Sequence, residues 1–144
     1  MAITRPNALA RLDDLATPAE FATGAVILRD AAPVPFLGLV ESGRVGVRLR
    51  VPGRGTVTVV TIEPGEIVGW SAVVPPFRAT AEAVAVEPTR VRTYDAVAVR
   101  ERLAADPALA SRLLPLLLAA VSDRLTTSWQ QLLDLFRSEA SEPW

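Results

Sequence analysis

Short apolar segments separated by Gly and Pro fill the middle of the chain, from residue 21 to residue 95. Residues 44–51 alternate between aliphatic and mostly basic side chains, which predicts a half-buried strand. The turn at 52–55 leads into a second β-like run, so the two runs predict a hairpin. The predicted strands cover residues 25–29, 36–40, 44–51, 56–62, 80–86 and 89–94. Strands this short, punctuated this often, predict an antiparallel β-roll.

The pattern before the strands is helical. Residues 7–14 predict a short amphipathic helix with Asn7 as its N-cap. The next segment, 17–20 (Thr-Pro-Ala-Glu), resembles a cap followed by a proline in a first helical turn. We therefore expect two short helical elements ahead of the roll.

The pattern after Tyr94 is helical as well. Asp95 is the predicted N-cap of a helix that runs to about residue 105. Asp106 and Pro107 repeat the cap-then-proline signal and open a long helix, from about 107 to 139. Pro115 lies inside this helix, so it should either kink the helix or move its true start to a later residue.

Two apolar stripes run along the predicted long helix. One keeps the seven-residue spacing of a two-stranded coiled coil, with Ser128 as its polar member, and consists of Leu118, Val121, Leu125, Leu132 and Leu135. The other is suited to packing on the roll and consists of Leu113, Leu117, Ala120, Trp129, Leu133 and Phe136. The first stripe predicts a homodimer; the alternative is that both stripes face one intramolecular core.

The composition removes several kinds of chemistry. The chain has no Cys and no His, which excludes thiolate nucleophiles, imidazole bases and the usual ligands of zinc and haem. We therefore predict no metal, no cofactor and no enzymatic activity. A formal net charge of −1 gives no reason to expect direct nucleic-acid binding. The start of the chain lacks a secretory pattern, and its longest strongly apolar run, 113–121, is too short to span a bilayer, which predicts a cytoplasmic protein without a membrane partner.

A set of short motifs follows in a recognisable order. They are Phe21-x-x-Gly24, Leu-Val-Glu-Ser-Gly-Arg-Val at 39–45, Pro-Gly-Glu-Ile-Val-Gly at 64–69 and Arg-Ala-Thr at 78–80. Between their flanking helices, these motifs resemble the sensor domain of the catabolite-activator (cyclic AMP receptor) family of bacterial regulators, and more widely cyclic-nucleotide-binding domains. The resemblance covers one domain over residues 7–137, with 140–144 as a tail. It implies an α+β fold, an antiparallel β-roll (a jelly-roll-like double-stranded β-helix) flanked by an N-terminal helix and a long C-terminal helix.

The resemblance also implies a function and a site. The implied function is non-enzymatic sensing of a cyclic nucleotide. Cyclic AMP is the first expected ligand and cyclic GMP the second, and the signal would pass through the long helix at which two copies associate. Backbone N–H groups and Arg78 would bind the phosphate, Glu66 the ribose, and the Thr127–Ser128 pair the base. The implied ligand-binding residues are Gly65, Glu66, Ser71, Arg78, Ala79, Thr80, Thr127 and Ser128.

The sequence departs from the family pattern around Arg78. The spacing from Glu66 to Arg78 is a few residues longer than the family usually has, and alignment of the downstream segment puts Ala79 in the arginine position. A β-bulge would restore the direction of Arg78; without one it points to the opposite face, and cyclic AMP binds weakly or not at all. The alternative function is then a dimerisation or docking module with a degenerate pocket. No helix-turn-helix follows, which suggests a stand-alone regulatory subunit or a chain cut before an effector domain.

Overall fold

Two four-stranded antiparallel sheets face each other in the computed structural model, which describes residues 9–140 and the side chains of residues 9–137. Their strands are β1 (Ala16–Phe21), β2 (Val26–Leu28), β3 (Phe36–Ser42), β4 (Val45–Val51), β5 (Gly55–Ile62), β6 (Ile67–Val68), β7 (Glu82–Ala85) and β8 (Thr89–Asp95). One sheet has the order β1-β8-β3-β6 and the other β2-β7-β4-β5. The predicted β-roll is confirmed, and β6 is a strand that the pattern did not predict.

The core lies between the two sheets. Aliphatic side chains from both sheets are fully buried there, among them Val40, Val45, Ile62 and Val91. The sheets' inner faces are tightly packed: a Cβ at Gly38 would lie 2.8 Å from a side-chain carbon of Val91. The burial of these alternating residues provides the hydrophobic stabilisation of the roll.

The helical interpretation of residues 17–20 is wrong. They belong to β1, which pairs along its whole length with β8 and places Pro18 opposite Arg92. Because β1 is at the edge of its sheet, the missing N–H of Pro18 is tolerated. The predicted helix at 7–14 is a 3₁₀ helix over Ala10–Leu15, and the proposed cap Asn7 lies outside the described residues.

Two helices follow the roll, a short helix (Ala96–Ala105) and a long helix (Pro107–Ala140). Both predicted N-caps are confirmed. The Asp95 carboxylate accepts a hydrogen bond from the Ala98 N–H at 3.0 Å, and the Asp106 carboxylate accepts one from the Leu109 N–H at 3.1 Å. The long helix runs through Pro115 from its start at Pro107, so the alternative of a later start is wrong.

The long helix contacts the roll through its first half and as far as Arg124. Leu113 and Leu117 are buried, as the second apolar stripe predicts, and so is Leu109. Ala120 is half-buried against the core, but the last three members of that stripe are exposed: Trp129 to 63%, Leu133 to 53% and Phe136 to 62%. Their predicted packing on the roll is wrong because a helix of 34 residues, about 50 Å long, extends past the end of the sheets. No helix within the described range is long and apolar enough to cross a membrane.

Candidate functional site: a cavity between the roll and the long helix

A cavity of about 320 Å³ lies between the sheet β2-β7-β4-β5 and the long helix. Its walls are mainly aliphatic, with residues from the roll that include Leu28, Val34, Val47, Leu49, Val60, Ile62, Val68 and Ala83. The long helix contributes Val121, Arg124, Leu125 and Ser128. Such walls favour a ligand with a largely apolar surface.

A tight turn at residues 69–72 forms part of the cavity wall. Gly69 has φ +80°, and a Cβ there would lie 2.6 Å from the carbonyl oxygen of Phe36, so the backbone requires glycine at this position. The 3₁₀ turn Trp70–Ala72 follows, and its buried Ser71 faces the cavity together with Trp70. The turn therefore brings a hydroxyl and an indole to an otherwise aliphatic wall.

The residues that lengthen the spacing between Glu66 and Arg78 form a loop beside this turn. Arg100 of the short helix holds the loop in two ways. Its guanidinium donates to the Ala72 carbonyl oxygen at 2.7 Å and lies 4.2 Å from the centre of the Phe77 ring. The extra residues thus pack against the short helix, while the cavity is lined by the residues before and after them.

Half of the predicted site residues come together at the cavity. Ser71, Ala79, Thr80 and Ser128 line it. Gly65, Glu66, Arg78 and Thr127 do not. As ligand-binding residues, all eight stay a prediction.

Arg78 points away from the cavity. Its exposed guanidinium donates to the carbonyl oxygen of Ala31 at 2.8 Å, and its backbone pairs with Pro33. Ala79, the next residue, is buried and lines the cavity. Because successive residues in an extended chain face opposite sides, the inward position belongs to Ala79. Arg78 thus lies on the side away from the cavity in this structure, and its predicted phosphate contact stays a prediction.

Glu66 and Thr127 lie at a smaller recess of about 80 Å³. The Glu66 carboxylate accepts a hydrogen bond from the Glu63 N–H at 2.7 Å, which closes the turn before β6. Arg124 borders both the recess and the main cavity. Glu66 is therefore placed to act on the charge of Arg124, and its predicted contact with a ligand stays a prediction.

Arg124 is the charged residue among the described cavity lining, and it was not among the predicted site residues. Its guanidinium donates a hydrogen bond to the carbonyl oxygen of Ile67, and none of the ion pairs found among the described residues includes it. Burial lowers the pKa of Arg124 to about 10, and the charge of Glu66 acts in the opposite direction, so the guanidinium stays protonated at neutral pH. The signal was the helical spacing of Leu113, Leu117 and Ala120, which next reaches Arg124.

Metal ligands do not cluster in the part of the chain that the structure describes, where no group of His, Cys, Asp or Glu side chains could hold an ion.

The comparisons with known proteins agree with this architecture. The profile of the cyclic nucleotide-binding domain matches residues 18–106. The acetyltransferase Pat of Mycolicibacterium smegmatis is 39% identical over 84 residues, which is 58% of this chain and 25% of that protein. The chain thus spans about a quarter of the length of the curated relative that it matches.

Two solved structures give the same result. A putative cyclic nucleotide-binding protein from Geobacter metallireducens is 28% identical with a TM-score of 0.73, over 87% of this chain and 90% of that one. A cAMP-binding acyltransferase from Mycobacterium smegmatis is 34% identical with a TM-score of 0.53, over 65% of this chain and 29% of that one. The profile match covers more than half of the sequence and most of the roll, so this chain belongs to the cyclic nucleotide-binding domain family.

Proposed function

We propose that this chain is a regulatory domain that binds a small ligand in the cavity and signals through the long helix. One observation carries this proposal: Val121, Arg124, Leu125 and Ser128 of the long helix form one wall of the cavity. A ligand in the cavity would contact the roll and the helix at once. Binding would therefore favour the helix position in which both contacts are made.

Cyclic AMP is the first ligand to test, and cyclic GMP the second. Family membership supports a cyclic nucleotide, and the acyltransferase from M. smegmatis is described as cAMP-binding. The outward direction of Arg78 and the alanine at position 79 weaken that support, since the phosphate loses its expected cation. A missing charge-assisted hydrogen bond to a buried anion costs about 1.5–3 kcal/mol, or roughly 10- to 150-fold in affinity. We therefore expect weak nucleotide binding.

The signal would reach a second copy of the chain through the coiled-coil stripe. Leu118 is 70% exposed, and Leu125 and Leu132 are 50% and 53% exposed, so the stripe is largely uncovered in the single chain. Its heptad spacing fits an identical helix as the partner. The proposed regulator is thus a cytoplasmic homodimer without enzymatic activity of its own, in line with a family that is generally non-enzymatic.

Calorimetric titration and thermal melting with cyclic AMP and cyclic GMP test the nucleotide. We expect a Tm rise of the wild type only at millimolar nucleotide, and tighter binding by Ala79→Arg, which restores a cation at the inward position. Arg78→Gln is the matched control and should bind as the wild type does. Should Ala79→Arg fail to fold, a loss of the wild-type response in Ser71→Ala serves instead. A flat response of every variant to both nucleotides overturns the cyclic nucleotide as ligand.

A docking module with a degenerate pocket is the second candidate. The position of Arg78 favours it, together with the exposed apolar residues of the long helix. This module becomes the function if the wild type responds neither to the cyclic nucleotides nor to hexanoate, octanoate or decanoate.

A further inference from the structure

We infer that the cavity binds a small organic anion with an apolar body, and that Arg124 of the long helix binds its negative charge. This inference rests on the proposed sensing function and names the ligand class and the charge partner. In this inference Arg124 on the helix wall takes the role that the family resemblance gives to Arg78 on the roll.

The walls of the cavity favour an apolar ligand body. Aliphatic side chains from several strands, among them β4, β5 and β7, line the roll side, and Val121 and Leu125 lie opposite on the helix. The side-chain hydroxyls on the roll side are those of Ser71 and Thr80. A ligand with many polar groups would leave some of them without partners in such a cavity, which is costly. A volume of about 320 Å³ is at the small end for ligand pockets.

Arg124 supplies the charge that the rest of the lining lacks. Among the described residues that line the cavity, it is the one with an ionisable side chain. A partly buried guanidinium without an ion pair loses hydration, and a ligand carboxylate would offset much of that loss through charge-assisted hydrogen bonds. One of its N–H groups is used by the Ile67 carbonyl oxygen, and a guanidinium has several more to donate.

Two neighbours support this role of Arg124. Ser128 is one helical turn further along the same face and also lines the cavity, so its hydroxyl can donate to the same anion. Glu66 acts on Arg124 electrostatically from the small recess, but its carboxylate already accepts the Glu63 N–H. The side of Arg124 that faces the cavity is therefore left for a ligand.

The test uses the full chain with hexanoate, octanoate and decanoate, each paired with the alcohol of the same length. Cyclic AMP is included as the other source of a monoanion. We expect at least one carboxylate to raise the Tm of the wild type and to bind better than its alcohol. In Arg124→Gln this preference should fall by roughly tenfold or more. Arg124→Lys should recover part of it, and Arg78→Gln, an exposed arginine outside the cavity, should keep all of it.

The outcomes separate this inference from the proposed function. If the wild type and Arg124→Gln bind the carboxylate equally well, the role of Arg124 as the partner of the ligand's charge is overturned, but the ligand class is not. Binding of cyclic AMP without binding of any carboxylate overturns the ligand class alone. A wild type that responds to none of these molecules overturns the sensing function and this inference with it. If Arg124→Gln does not fold, equal binding of carboxylate and alcohol by the wild type contradicts the inference.

Discussion

The two halves of the long helix have similar apolar content and opposite environments. In the first half, Leu109 and Leu113 are completely buried against the roll. In the second half, Leu125, Leu132 and Phe136 are at least half exposed. Helical periodicity identifies an apolar face but does not say what covers it. One face of the first half belongs to the domain core, whereas the apolar side chains of the second half are largely exposed.

The largest expected effect is on the buried half. Leu113→Ala should lower the free energy of unfolding by roughly 2–5 kcal/mol, because it removes buried methyl groups and leaves a cavity. Leu132→Ala is the matched substitution in the exposed half and should change the stability of the monomer by less than about 0.5 kcal/mol. Urea unfolding at a protein concentration that keeps the chain monomeric measures both. If both substitutions lowered the free energy of unfolding equally, the two halves of the helix would be buried to the same extent in the monomer.

The second effect is on association. Leu125→Glu would place two like charges opposite each other in an apolar seam, so we expect the dimer to weaken by roughly a hundredfold, about 2.8 kcal/mol. Leu132→Glu makes the same change away from the cavity and should have the same effect. Light scattering over a dilution series measures the dimer. Unchanged association in both variants would show that the stripe packs inside the monomer.

The smallest effect concerns the anchored start of the long helix. The hydrogen bond from the Leu109 N–H, helped by the charge of Arg11, lowers the pKa of Asp106 below its ordinary 3.8. A lowered folded-state pKa means that the contribution of Asp106 to stability is complete above the unfolded value and is lost as the pH falls through the folded one. Asp106→Asn keeps a capping oxygen but removes this acid dependence.

Acid unfolding followed by circular dichroism measures the difference between the wild type and Asp106→Asn. Asp134→Asn, in the exposed half, is the control and should leave the acid transition of the wild type in place. An unchanged transition in Asp106→Asn would contradict the role of this carboxylate at the helix start.

Local signals predicted much of the fold. The alternation over 44–51 predicted β4, and the two cap-then-helix signals predicted both helices with their first residues. The signal at 17–20 failed because pairing with β8 overrode a local turn preference. The strand Ile67–Val68 is too short to show any alternation, so only its partner β3 defines it.

The site was harder to predict than the fold because it depends on direction. A shift of one residue along an extended segment decides whether Arg78 or Ala79 faces the cavity, and the sequence alone left that register open. Arg124 lies on a helical stripe whose spacing is visible in the sequence. An arginine within such a stripe is easily taken for its solvent edge, and the cavity beside it comes from the roll, which is distant in sequence.

Val121, Leu125 and Ser128 belong both to the cavity wall and to the predicted coiled-coil seam. If the proposed ligand binding and the proposed dimerisation both occur, the two are thermodynamically linked. If ligand binding changes the dimer dissociation constant by some factor, dimerisation changes the affinity for the ligand by the same factor. The apparent Kd of the ligand should therefore change with protein concentration, so the number of copies of the chain in a cell would set how sensitively it responds.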